Sequence, residues 1–172
     1  HCTGLVDTSR KTVIFTMKFL APVILTALIS VASVRSNDCP YPYEPLDDTR
    51  CIFLDAYVTY TWQDTVDLCK THSGEILMIE DCETFALVYD YIKSKDVTQG
   101  KHFWLGATDE VEEGTWKFVN NRAVPQGVPF WGKGEPNSGN THNCAIMHAS
   151  YNHYWYDIQC ENKYNPICLK KY

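Results

Sequence analysis

The order of apolar and polar positions divides the chain into a helical half and a strand-rich half. Trp62, Val66 and Cys69 recur at helical spacing behind Thr61, and Asp64 stands three residues after that threonine. A hydroxyl cap, a following acid and one apolar face predict a helix ending near Gly74. Residues 81–95 repeat the signal, with Phe85, Val88 and Ile92 on one face, acids in the first turn and Gly100 beyond the end. From position 103 the period shortens. Runs rich in aromatic and β-branched residues alternate with Gly, Pro and Asn, which predicts strands over residues 103–107, 115–120, 144–148, 154–158 and 166–170. Two stretches fit neither pattern. Residues 37–48 carry Pro40, Pro42 and Pro45, so backbone donors are missing and an extended strap is expected. Residues 121–143 contain Pro125, Gly127, Pro129, Gly132, Gly134, Pro136 and Gly139. A loop this long in a compact domain is a binding loop or is disordered. Two helices followed by a strand-rich half indicate an α+β fold.

The N-terminal region changes the domain plan. Met17 and Lys18 precede an apolar run over residues 19–32, and Val34, Arg35 and Ser36 follow. This reads as a signal peptide over residues 17–36, cut after Ser36. A signal anchor is the alternative, but the run is short for a bilayer span and contains Pro22. Residues 1–16 then form an upstream non-native segment, and residues 37–172 form one domain large enough for a single core.

Charge and cysteine content narrow the function. The full chain carries a formal charge of −6. Setting the first 36 residues aside removes Arg10, Lys11, Lys18 and Arg35 against Asp7 alone, which makes the remainder more acidic. Such a surface repels nucleic acid and anionic membranes. The expectation is a secreted, extracellular protein with no nucleic-acid partner and no membrane insertion. Without Cys2, the cysteines are Cys39, Cys51, Cys69, Cys82, Cys144, Cys160 and Cys168. None shows the C-x-x-C spacing of a structural zinc site, and pairing is expected in an oxidising compartment. The number is odd, so one cysteine is left for a free thiol or a bridge to another chain.

Particular residues go further than pattern. Phe103-Trp104-Leu105-Gly106 with Thr108-Asp109-Glu110, then Trp131, Glu135-Pro136-Asn137, Asn143-Cys144, Trp155-Tyr156-Asp157, Cys160 and Pro166-Ile167-Cys168 appear in that order. Together they resemble the C-type lectin-like domain family, across essentially all of residues 39–172. The likeness is to secreted single-domain invertebrate C-type lectins. It implies two helices and two small antiparallel sheets with a long ligand-binding loop. It also implies the disulfides Cys39–Cys51, Cys69–Cys168 and Cys144–Cys160. Cys82 then remains, as a small buried thiol or as the bridge of a homo-oligomer.

The same resemblance implies calcium in the long loop. Calcium takes six to eight oxygen ligands; Glu135 and Asn137, joined through a cis proline, and Asp157 on a later strand would supply them. A bound ion could accept two sugar hydroxyls, with Glu135, Asn137, His142 and Asp157 lining the carbohydrate site. The order Glu-Pro-Asn resembles members that select mannose-type sugars, so mannose-type glycans and microbial surface polysaccharides are the expected partners, in innate immune recognition. Tyr151, His153 and Tyr154 are candidates for stacking or for simple packing. Two positions depart from the family. His142 replaces a usual carboxylate and Tyr156 replaces a usual asparagine, so weak calcium binding is expected, completed by water or Asn143. Asp109 and Glu113 match two acids of an auxiliary calcium site whose other positions fall on Ser138 and His142. Zinc on His142, Glu135 and Asp157 is a minor alternative, since no paired ligand spacing supports it. No catalytic motif is present, so an enzyme is not expected. The competing reading is a calcium-independent, protein-binding domain of the same fold.

Overall fold

The computed structural model describes residues 39–127 and 130–171. The predicted signal peptide and upstream segment lie outside the described residues. Helix α1 spans Trp62–Thr71 and helix α2 spans Cys82–Lys93. Both starts are capped, that of α1 by the threonine its sequence predicts and that of α2 by Asp81. Thr61 Oγ1 accepts from the Asp64 amide at 3.2 Å and Asp81 Oδ1 accepts from the Thr84 amide at 2.7 Å, each satisfying an otherwise unpaired donor. Helix α1 stops at Thr71 rather than at Gly74, because Ser73 enters the left-handed region and the Gly74 amide returns to Cys69 O at 2.9 Å. Gly74 has a different duty. A Cβ there would lie 2.0 Å from the Tyr43 hydroxyl, so only glycine lets the N-terminal strap pack this closely.

Eight short strands form two four-stranded antiparallel sheets. They are β1 (Glu44–Pro45), β2 (Arg50–Leu54), β3 (Glu75–Ile76), β4 (Phe103–Thr108), β5 (Lys117–Phe118), β6 (Cys144–Met147), β7 (Trp155–Ile158) and β8 (Ile167–Lys171). One sheet has the order β1-β2-β8-β3 and the other β5-β4-β6-β7. The strap is therefore not wholly irregular: β1 pairs with β2, and Glu44 accepts from Tyr91 at 2.8 Å and from Lys95 at 2.5 Å on and just beyond α2. The strand expected over residues 115–120 shrinks to Lys117–Phe118 because the turn at Asn121, with φ of 68°, reverses the chain at once.

Strand β4 is the centre of the molecule. Residues Phe103 through Ala107 are all buried, so the strand is covered on both faces. Trp62 Nε1 donates to Leu105 O at 2.8 Å and Trp104 Nε1 donates to Tyr60 O at 2.7 Å, tying the start of α1 to β4. Trp104 and Leu105 are core residues, both fully buried. The pairs Cys39–Cys51, Cys69–Cys168 and Cys144–Cys160 are formed as the resemblance implied. Cys82, at the first position of α2, is not a free thiol; no described cysteine is.

Candidate functional site

The long loop is fastened to β7 by aromatic packing before it reaches the candidate ligands. Trp131 is fully buried, donates from Nε1 to Pro125 O at 3.1 Å and meets Trp116 and Trp155 edge-on at 4.8 and 5.8 Å. The next residue bonds back to the strand, with the Gly132 amide 2.9 Å from Trp155 O. A turn then follows in which the Glu135 amide donates to Gly132 O at 3.0 Å and Gly134 takes a φ of 90°. The Glu135–Pro136 bond is cis.

This path brings Glu135, Asn137 and Asp157 together. Asn137 Nδ2 donates to Glu135 Oε1 at 2.8 Å, and Asn137 Oδ1 accepts from Ser138 Oγ at 2.8 Å. Asp157 is buried, and its two oxygens accept from the backbone amides of Asn137 at 3.3 Å and Ser138 at 2.8 Å. Burial first, then the shared hydrogen bond and charge of Asp157, push the Glu135 carboxyl up to about 8. Burial works in the same direction on Asp157, but it is outweighed by the Glu135 proton and the two loop amides, so this carboxyl is lowered.

A divalent cation fits this chemistry. Two neighbouring carboxyls in a partly desolvated cleft disfavour each other's ionisation unless a counter-charge is present, and a divalent cation supplies one. Among the described residues no three His, Cys, Asp or Glu side chains gather into a metal cage, so a site here needs the Asn137 amide oxygen as its third donor. The minor zinc alternative, which required His142 beside Glu135 and Asp157, has no such cluster behind it.

The remaining sequence candidates lie beneath the loop. Asp109 is buried; its Oδ2 accepts from the Gly114 amide at 2.9 Å, while its Oδ1 has no partner. Burial is the leading cause that raises the Asp109 carboxyl, and the charge of Asp157 adds to it. Glu113 faces the turn at Gly139, where a Cβ would lie 4.0 Å from its Oε1. Asn143 Oδ1 and His142 Nδ1 are buried without partners. Of the stacking candidates, His153 is buried packing, Tyr154 stacks on Phe85, and Tyr151 stacks on Tyr156. Sequence reasoning, which gave Ser138 only a place at the auxiliary calcium site, overlooked two roles: Ser138 braces both Asn137 and Asp157, and Gly132 seats Tyr156. A serine or a glycine in a loop carries no periodic signal, so neither was readable in advance.

Comparison with known proteins agrees with this architecture. The model of the Lectin C-type domain family matches residues 58–170. A perlucin-like protein of Mytilus galloprovincialis is 32% identical over 142 residues, covering 80% of this chain and 89% of the relative. The mouse scavenger receptor C-type lectin carbohydrate-recognition domain superposes with a TM-score of 0.66 at 24% identity, covering 78% of this chain and 98% of that one. A calcium-independent type II antifreeze protein has the same fold, with a TM-score of 0.64 at 22% identity and coverage of 78% and 95%. The chain belongs to the C-type lectin domain family, a family of carbohydrate-binding domains rather than enzymes.

Proposed function

We propose that this chain is a secreted lectin that binds mannose-type glycans through calcium held by Glu135, Asn137 and Asp157. The observation that supports it most is the meeting of these three side chains at one cleft, where Asn137 bonds to Glu135 through its side chain and to Asp157 through its backbone amide. Calcium bound there would supply a hard cation that takes two neighbouring sugar hydroxyls as ligands. The chain's own residues set the orientation. Asn137 Nδ2 and Glu135 Oε1 lie side by side, so one sugar hydroxyl can accept from the amide and donate to the carboxylate. Asp157 is pinned by two backbone amides, which removes the rotational freedom that would otherwise be lost on binding.

His142 and Tyr156 stand where oxygen ligands are usual in the family, so the calcium affinity is below that of domains with the full set. The mannose preference follows from the likeness of Glu135-Pro136-Asn137 to the mannose-selecting members. The disulfides between described cysteines fit an oxidising, extracellular setting. Among the described residues no helix is long and apolar enough to cross a membrane. Shallow sugar sites bind weakly one at a time, and a repetitive microbial surface polysaccharide compensates by engaging several lectin sites together. This suits a role in innate immune recognition.

A second reading has its own observation. His142 Nδ1 is buried and unpartnered at a position that should offer a carboxylate, which favours a calcium-independent, protein-binding domain. Retention on immobilised mannose in millimolar calcium, with release by chelator, tests the two. Flow-through in both conditions overturns the lectin reading, and so does mannose-type binding that survives the double change Glu135→Gln with Asn137→Asp.

A further inference from the structure

The geometry points to a second saccharide subsite on the aromatic rim of Tyr151 and Tyr156, which would take the next pyranose of a chain held at Glu135. The inference rests on the lectin reading above and deepens it from a monosaccharide to an oligosaccharide ligand.

The rim is built rather than incidental. The rings of Tyr151 and Tyr156 are stacked, with centroids 4.8 Å apart and planes at 21°. The end of the Tyr156 side chain packs on Gly132, where an added Cβ would meet its Cε2 at 2.6 Å, its Cζ at 2.7 Å and its hydroxyl at 2.8 Å. His148 braces both rings, at 4.8 Å from Tyr151 and 5.0 Å from Tyr156, and is itself met by His102 at 4.2 Å. Despite this support Tyr151 remains 52% exposed. Its ring is fixed in place by Tyr156 and His148 and still presents about half of its surface to a ligand.

The rim is also continuous with the Glu135 cleft. Gly132 touches Tyr156 on one side, and its carbonyl accepts from the Glu135 amide at 3.0 Å on the other. Neither phenol hydroxyl is bonded to another described residue. A stacked ring with free hydroxyls at its edge matches a pyranose, which presents an aliphatic C–H face bordered by hydroxyls. A peptide or lipid chain would gain from the ring face but not from the two uncommitted hydroxyls. The unit bound at Glu135 places its glycosidic neighbour next along the rim.

The test compares methyl α-mannoside with a linear mannotriose, each titrated calorimetrically into the full chain in calcium. Tyr151→Ala should weaken the trisaccharide about fivefold, the scale of one aromatic contact, and shift the methyl mannoside by less than twofold. Tyr151→Trp should restore trisaccharide affinity. In the wild type, protons of one trisaccharide ring should move upfield on binding, through the ring current, and should not in Tyr151→Ala. Equal losses for both ligands, or no loss for either, overturn the subsite while leaving the lectin reading intact. Failure of both sugars to bind the wild type overturns the lectin reading and this inference with it.

Discussion

The backbone amide of Asn137 donates to the Asp157 carboxylate across 3.3 Å, joining a loop residue to a strand residue twenty positions later. Ser138 adds a second amide at 2.8 Å. The loop conformation and the placement of the carboxylate are therefore one device. Losing Asp157 should release the loop as well as remove a ligand.

Asp157→Asn tests this coupling. It keeps the shape of the side chain but leaves a single carboxyl in the cleft and turns one amide group toward backbone donors. Calcium affinity should fall by at least about tenfold, read by calorimetry. Amide exchange at Asn137 and Ser138 should speed up while exchange in β4 stays unchanged. Unaltered calcium affinity would remove Asp157 from the ligand set.

Gly132→Ala should be costly for a reason outside the cleft. Its Cβ would stand 2.6 Å from the Tyr156 ring, and overpacking of this kind costs about 1–3 kcal/mol. Thermal unfolding measures the loss. Combining Gly132→Ala with Tyr156→Ser should recover most of it, since the smaller side chain removes the clash. A double variant no more stable than the single one would place the cost elsewhere.

Acidification should destabilise the protein through His153. This imidazole is 5% exposed, and burial, followed by the charges of Lys93, His102 and His148, lowers it to about 4. Tyr89 and Phe103 pack against it, so no carboxylate among these neighbours balances a charge. The folded state binds fewer protons than the unfolded chain between about pH 6.5 and pH 4. The contribution is complete above the upper value and is lost as the pH falls, by about 3 kcal/mol below the lower one. His102 and His148 are also lowered, chiefly by burial, and act in the same direction. Denaturant midpoints measured across this range should fall with pH. His153→Asn, which tolerates the left-handed backbone there (φ 58°), should flatten the profile.

The disulfides should rank by the loop each closes. Cys69–Cys168 spans 99 residues and Cys144–Cys160 spans 16. Loop-closure entropy assigns them about 4.7 and about 3 kcal/mol. Paired Cys→Ala variants compared by chemical unfolding should preserve that order.

Both helices were legible because their caps and apolar spacing lie within a few residues. Thr61 with Asp64 forms the cap its sequence suggests, and Asp81 adds the same bond to Thr84 at the start of the second helix. Phe103 to Ala107 announced a buried strand through an unbroken apolar run. Glu44–Pro45 and Glu75–Ile76 are two-residue strands, and two positions carry no period. The strap was read as irregular from its three prolines, although its pairing with β2 makes Glu44–Pro45 a sheet edge.

At the candidate site the ordered motif, not the periodicity, located Glu135, Asn137 and Asp157. The sequence by itself determined the fold class, the helices, the central strand and the loop, because each is encoded by residues near one another in the chain. Only the tertiary structure decided that Ser138 braces Asp157, that Tyr156 rests on Gly132, and that Asp157 raises the Glu135 carboxyl. These relationships join positions brought together only when the sheets pack. Their energies depend on distances and burial, which a string of residue types does not contain.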